Sequence, residues 1–348
     1  MMALARLEAS NHLKACVVVT RTCLWIPDPM NLIAIFNRDG GTFKTTDMAA
    51  YCHRAEQVFR QAGHEIECRV VAGDDVVEAM ENVAATRGVE GLIAGGGDGT
   101  ISAAASIAWK SGLVLGIVPA GTMNLFARSL KLPLDIWQVL EVLAKAEVEA
   151  ADIASANGRP FIHQFSAGLH ARMVRYRNRM SYASRLGKIR ANVRAAFGVM
   201  LDPPVFEVEF AAHDRRDYRR VSAISVSNNE FGNDALMYAD SVNGGHLGFY
   251  VADALTPAGV AALTIDILRG RLKDNQAVSA MKVTEVDLHF PKARRDIRCV
   301  MDGELLPMDR DVALKVHAGE LKVLVPAAQR PVVGARWTEG TAGNPVTL

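Results

Sequence analysis

Cysteine is sparse and scattered: the 348 residues hold five, Cys16, Cys23, Cys52, Cys68 and Cys299, with no Cys-x-x-Cys pair. That pattern excludes a disulfide framework and a cysteine-built zinc site, and it fits a cytoplasmic protein. Long apolar runs are missing as well. The stretch 15–26 is interrupted by Arg21, is too short to span a bilayer and lacks the small-residue cleavage site of a signal peptide. Residues 1–30 are therefore read as a loosely attached extension. No Gly-Lys-Ser or Gly-Lys-Thr occurs, which excludes a P-loop, and the protein-kinase motif set is absent. A dinucleotide fingerprint counted from Gly95 meets Thr100 where its third glycine belongs. Stacking aromatics and a recognition-helix motif are also wanting, so nucleic acid is not an expected partner.

What is present is an ordinary globular composition, 50% hydrophobic and 22% charged, long enough for two domains. The net charge of +1 conceals an asymmetry. Residues 31–152 carry 10 Lys/Arg against 16 Asp/Glu, and residues 153–326 carry 24 against 19. An acidic first body and a basic second one point to different partners.

Residues 31–152 read as strands alternating with helices. Leu32–Phe36, Glu65–Val71, Leu92–Ala94 and Leu113–Val118 are apolar runs of strand length. Between them, helices are expected from a Thr46 cap to Gly63, from Asp74 or Asp75 to Thr86, and from Ile101 to Trp109. A short helical segment should follow Asn124, and Asp135 should cap another through Ala146. This alternation implies a parallel, doubly wound α/β sheet.

Three of the strands empty into glycine-bearing turns, at Asn37-Arg-Asp-Gly-Gly41, Gly95-Gly-Gly-Asp-Gly-Thr100 and Pro119-Ala-Gly-Thr-Met-Asn124. All three belong at the carboxyl edge of one sheet, where α/β folds bind ligands. Glycine lets backbone N–H groups approach an anion, and a helix start adds unpaired donors and the positive end of its dipole. Phosphate is the expected ligand. Asp98 would repel it unless a cation such as Mg²⁺ lies between them, directly or through water.

Residues 153–326 are dominated by short alternating runs, at 161–165, 205–210, 221–226, 246–251, 283–290, 312–316 and 320–325. The pattern predicts an antiparallel β-sandwich. The stretch Arg172–Arg194 holds eight Lys/Arg and no acid. From Ser184 onward its apolar positions share one helical face, which suits an anionic membrane surface. Residues 327–348 are polar and read as a disordered tail.

Three motifs together, Gly96-Gly-Asp-Gly-Thr100, Pro119-Ala-Gly-Thr-Met-Asn-Leu-Phe-Ala-Arg128 and Val300-Met-Asp-Gly-Glu304, resemble the diacylglycerol kinase-type lipid kinases over residues 32–326. The resemblance implies a nucleotide domain, a lipid-admitting β-sandwich, and transfer of the ATP γ-phosphate to a lipid hydroxyl in the cleft between them. By matching position, it implies that Gly96, Gly97, Asp98, Gly99 and Thr100 bind the ATP phosphates. Asn37, Gly40 and Gly41 would form the first nucleotide turn, with Gly121, Thr122 and Asn124 in the third. Glu304 would be the general base, and Asp302 would position it or share a metal with Asp98. The protein would then be a cytoplasmic enzyme peripheral at the membrane.

The chain departs from the family at three places. The first turn lacks the proline and hydroxyl of Asn-Pro-x-Ser-Gly, and Ser102-Ala103 stands where Asn-Glu is usual. Val242-Asn-Gly-Gly245 aligns with a Leu-Asp-Asp-Gly segment that supplies a structural Mg²⁺ site in some bacterial members. Two other readings stay open. Gly-Gly-Asp-Gly-Thr is shared with NAD kinases, which act on a soluble substrate, and the altered first turn is compatible with a lipid-binding regulatory protein impaired in catalysis.

Overall fold

The computed structural model describes residues 29–179, 202–213, 215–292 and 298–327. The extension 1–28, most of the tail and the basic helix expected from Ser184 lie outside the described residues.

The first half is the α/β unit the periodicity predicts. Strand β1 (Asn31–Asn37) pairs in parallel with β2 (Glu65–Val71) and β3 (Gly91–Gly96), and β3 pairs with β4 (Val114–Pro119). β1, β3 and β4 are apolar on both faces because helices cover both sides. Those helices are α1 (Met48–Gln61), α2 (Val76–Ala84), α3 (Asp98–Ser111), α4 (Leu125–Ser129) and α5 (Ile136–Leu143). The order β2-β1-β3-β4 reverses direction between β1 and β3, and a ligand crevice is expected at that switch point.

Two helix starts differ from expectation. Asp47, not Thr46, caps α1: its carboxylate accepts from the Ala49 and Ala50 amides, while the Thr46 hydroxyl is spent on the Thr42 carbonyl. Neither Asp74 nor Asp75 caps α2 through its side chain; both lie in a short 3-10 turn ahead of it. Asp135 caps α5 as expected, accepting from Trp137 and Gln138 amides.

The second half is antiparallel. It comprises β5 (Glu147–Ala156), β6 (Arg159–Phe161), β7 (Gln164–Gly168), β8 (Phe206–Ala212), β9 (Arg215–Asn228), β10 (Leu247–Asp253), β11 (Val278–Val283), β12 (Glu285–His289), β13 (Arg298–Met301), β14 (Glu304–Pro307) and β15 (Asp311–Val325). Helices α6 (Leu169–Arg179) and α7 (Pro257–Leu268) interrupt it. Alternate residues of these strands, among them Phe165, Val226, Phe249, Leu288 and Leu314, bury into one core enclosed by the curling sheet. The predicted run 161–165 is broken at residues 162–163, where the chain turns from β6 into β7. The runs 312–316 and 320–325 are instead one long strand with a bulge between His317 and Leu321.

That last strand joins the halves. β15 pairs with β12 and β5, and near its end Val323 sits beside Leu115 of β4 in parallel. Leu321, Val323 and Leu324 are fully buried in the first core, together with Ala151 and Ile153. Asp152 pins the crossover. Its carboxylate accepts from the Gly245 and Gly319 amides and its carbonyl accepts from the Asn228 side chain. No described helix is long and apolar enough to cross a membrane.

Candidate active site

The three glycine turns meet at the switch point and brace one another. In the first, Asn37 accepts from the Asp39 amide and donates to the Thr100 hydroxyl at 3.2 Å, crossing into the second. The Thr42 amide donates to the Ala120 carbonyl of the third turn. A Cβ on Gly41 would stand 2.2 Å from that carbonyl, and one on Gly121 would stand 2.7 Å from the Gly97 Cα. These positions take glycine because backbone meets backbone. Below them Phe36, Phe43, Tyr51 and Trp137 form a chain of ring contacts at 5.0–5.6 Å, and Tyr51 donates to the Ile136 carbonyl. Asp39, which stands in the divergent first turn, accepts from the Gly73 amide and so ties it to the turn after β2.

Asp98 is the first residue of α3, and no side chain caps that helix, so its leading N–H groups face the crevice. The carboxylate turns away from them. One oxygen accepts from the Leu125 amide at 2.7 Å and the other from the Asn124 amide at 3.0 Å, which locks the third turn and the start of α4. Asp98 is thus compensated by protein donors, and a cation is not required to explain an acid beside a phosphate cradle. Asn124 adopts a left-handed conformation, φ 50°, and its side chain bonds both the N–H and the carbonyl of Gly121. Its polar atoms close their own turn.

The downstream acids arrive on a hairpin. Asp302 (φ 46°) and Gly303 (φ 86°) are the two loop residues between β13 and β14, the turn for which an Asp-Gly pair is favoured. The Asp302 carboxylate accepts four hydrogen bonds: from the Ser102 hydroxyl at 2.6 Å and from the Ile162, His163 and Gln164 amides at 2.9–3.0 Å. Burial pushes its pKa above the ordinary value, against the downward pull of those four donors. Asp302 therefore staples the β6–β7 turn to α3, across the two halves. Glu304 is exposed and pairs with Arg159 at 3.2 Å, a surface contact that orients more than it stabilises.

Asp98, Asp302 and Glu304, far apart in sequence, line one cavity of about 380 Å³ with Gly99, Ser102 and His163. Gly40, Gly41, Gly96, Gly97, Thr100 and Gly121 form the turns behind it, and Thr122 is exposed on the third. A second cavity of about 370 Å³ adjoins it between the β7–β9–β10 surface and α7, walled by Leu169, Ile224, Val260, Leu263 and Ile267. Gln164 and His170 belong to both walls. Sequence reading missed His163, Gln164, His170 and Arg159, which lie outside every motif.

The expected metal roles fit unevenly. Four donors occupy the lone pairs of the Asp302 carboxylate, which argues against a direct bond from Asp302 to a metal. Asp98 retains one lone pair on each oxygen. Among the described residues no group of three or more His, Cys, Asp or Glu is placed to hold a metal. The donor set suits a Mg²⁺ ion that arrives on nucleotide phosphates, since such an ion needs only one or two carboxylates and keeps its waters.

Burial lowers the His163 pKa to about 4, and nearby Asp98 only partly offsets the shift. The imidazole is neutral in the folded protein near pH 7. Because the folded value lies below the ordinary 6.5, the stability it contributes is complete above pH 6.5 and is lost as pH falls towards 4. Urea unfolding should lose about 1.4 kcal/mol per pH unit across that window. His163→Gln should flatten the slope; an unchanged slope in the variant would remove His163 as its source.

Residues 31–156 match the family described as diacylglycerol kinase catalytic domain, the family that the three motifs resemble. Among particular relatives, the diacylglycerol kinase of Bacillus subtilis is 26% identical over 254 residues, 71% of this chain and 82% of that protein. A Yersinia enterocolitica protein named "Probable lipid kinase YegS-like" is 36% identical over 120 residues, 33% of this chain and 40% of its own. A match to a Synechocystis sp. protein likewise covers only 31% of that protein, so the chain spans well under two thirds of the first relatives it matches. A crystal structure of a diacylglycerol kinase from Bacillus anthracis str. Sterne has the same fold, with a TM-score of 0.63 at 16% identity over 86% of this chain and 98% of that one.

Proposed function

We propose that the protein is an ATP-dependent lipid kinase. The observation that carries this reading is the adjacency of two cavities, one holding Asp98, Asp302 and Glu304 at a helix N-terminus and the other apolar, with Gln164 and His170 as their shared wall. A soluble acceptor would have no use for the apolar chamber.

In this reading, residues 31–152 hold the nucleotide and residues 153–326 the lipid. The N–H groups at the start of α3 and the glycine turns bind the phosphates. Mg²⁺, held at Asp98, would offset phosphate charge. The lipid hydroxyl oxygen attacks the γ-phosphorus while the bond from that phosphorus to the β,γ-bridging oxygen breaks. ADP leaves with the bond's electron pair, and Glu304 takes the hydroxyl proton. Asp302 holds the hairpin that carries Glu304 and touches no reacting atom. Since the lipid resides in a membrane, the protein works as a peripheral enzyme. The exposed apolar side chains of Met173, which lines the apolar cavity, and of Ile265 and Leu268 on α7, the helix that walls it, support that placement.

The test is incubation with γ-labelled ATP, Mg²⁺ and total lipid extract, followed by thin-layer separation. A labelled product that partitions into organic solvent is expected. Label confined to the aqueous phase would support a soluble acceptor and end this reading.

A further inference from the structure

Two of the scattered cysteines meet in the fold. Cys52 lies on α1 and Cys68 on β2, the strand at the edge of the sheet, and both are half-buried. Cys68 Sγ is 3.9 Å from the Cys52 carbonyl oxygen, and its S–H also faces the Cys52 thiol as a hydrogen-bond donor. Cys299 is buried in the other core. We propose that Cys52 and Cys68 form a redox-modification site, in which hydrogen peroxide converts the two thiols to a reversible disulfide that clips α1 to β2 and weakens nucleotide binding. The disulfide stands on this pairing alone, and its effect rests on the reading of the glycine turns as a phosphate cradle. One reversible bond of this kind needs no disulfide framework, and where thiols are otherwise kept reduced it acts as a sensor.

The environment makes the two thiols unequal. The hydrogen bond from Cys68 holds the Cys52 pKa below that of an ordinary thiol, against burial and the charge of Glu56. The same bond, with burial, pushes the Cys68 pKa up. The thiolate is the nucleophile, so Cys52 reacts first and Cys68 resolves. The Cys52 sulfur attacks one oxygen of the peroxide, the O–O bond breaks, and the departing hydroxide takes the Cys52 proton to become water. Cys52 is then a sulfenic acid. The Cys68 sulfur attacks the Cys52 sulfur, the S–O bond breaks, and the hydroxyl leaves with the Cys68 proton as a second water. The two sulfurs have together lost two electrons, and the peroxide has gained them. A dithiol reverses the change by thiol–disulfide exchange.

The clip reaches the first turn. An S–S bond is about 2.05 Å long, shorter than any hydrogen-bond contact between thiols, so closing it draws together the side chains and the elements that carry them. Both elements are anchored at that turn. The Arg38 amide donates to the Val71 carbonyl at the end of β2 at 3.0 Å, and the Gly73 amide donates to Asp39 at 2.8 Å. On α1, Tyr51 precedes Cys52 and packs its ring on Phe36 and Phe43. Those two rings lie against Gly95 of the second turn, where a Cβ would stand 2.5 Å from Phe36 and 2.9 Å from Phe43. Packing this close passes a displacement on rather than absorbing it.

The experiment treats purified full-length protein with hydrogen peroxide, alkylates the remaining thiols and maps the peptides by mass spectrometry. A linked Cys52–Cys68 peptide, lost on adding dithiothreitol, is expected as the main product. In Cys68→Ser, dimedone should trap a sulfenic acid on Cys52 at least about tenfold faster than it traps one on Cys68 in Cys52→Ser. Thermal melts confirm that both variants are folded. A fluorescent ATP analogue should bind the oxidised parent at least roughly threefold more weakly than the reduced parent, with no such difference in Cys52→Ser. Peroxide-treated protein in which both thiols stay free, or join other cysteines, overturns the inference. A linked peptide with unchanged affinity for the analogue overturns the switch and leaves the modification site standing. If neither redox form binds the analogue, the nucleotide reading falls and the disulfide is unaffected.

Discussion

If Glu304 is the base of the proposed reaction, Glu304→Ala should lower phosphoryl transfer by about 10²–10⁴-fold, the range a positioned general base supplies, and should leave stability within about 0.5 kcal/mol of the parent. The expectation of an intact fold comes from its surroundings. Glu304 is exposed, stands at the first position of β14 and makes one surface ion pair, with Arg159. Nothing buried depends on it. Glu304→Gln should be as inactive, because the amide keeps the shape but cannot take the proton. Turnover with γ-labelled ATP and urea unfolding of the same preparations provide the check. If the alanine variant turned over lipid at the parental rate, Glu304 could not be the base.

Asp302→Ala behaves in the opposite way. It strands the Ser102 hydroxyl and the amides of Ile162, His163 and Gln164, all of which donate to the lost carboxylate. Unpaired donors cost about 1–3 kcal/mol each when water cannot replace the acceptor. The site is half-buried and water can reach part of it, so the expected loss is about 3–5 kcal/mol, accompanied by a fall in kcat as the hairpin carrying Glu304 loosens. Ser102→Ala removes only one of the four bonds and should cost about 1 kcal/mol. Calorimetric melting of the two variants separates these values. A neutral Asp302→Ala would mean that the hairpin is held by its strand pairing alone.

The two carboxylates of one Asp-Gly-Glu turn thus differ in kind, although they look equivalent in sequence. Asp302 is an acceptor consumed by the fold, and Glu304 is an exposed acceptor with Arg159 as its surface partner. The same division separates Asp98 from the glycines around it. Its carboxylate is committed to the Asn124 and Leu125 amides, so its replacement would disturb the third turn before it disturbed a metal.

The first half was legible because its signals are local. Glu65–Val71 and the α5 cap at Asp135 fall where apolar runs and capping residues put them. Glycines at strand ends marked the three turns, since backbone contacts as close as that of Gly41 to Ala120 tolerate no side chain. The second half was read as antiparallel, but its junctions were not found. The break at 162–163 and the bulge at 317–321 carry no turn residues strong enough to flag them, apart from Gly319.

By itself, then, the sequence determined the elements, the three turns and the acids, each of which depends on a residue's neighbours within a few positions. Tertiary structure decided what those acids do. It returned β15 to the edge of β4, bringing together strands some two hundred residues apart in the chain. It also turned Asp98 towards α4, set His163 near Asp98 with its backbone amide on Asp302, and made Gln164 a wall shared by a polar cavity and an apolar one. None of these leaves a periodic trace, because hydrogen-bond saturation and cavity volume depend on which distant surfaces meet.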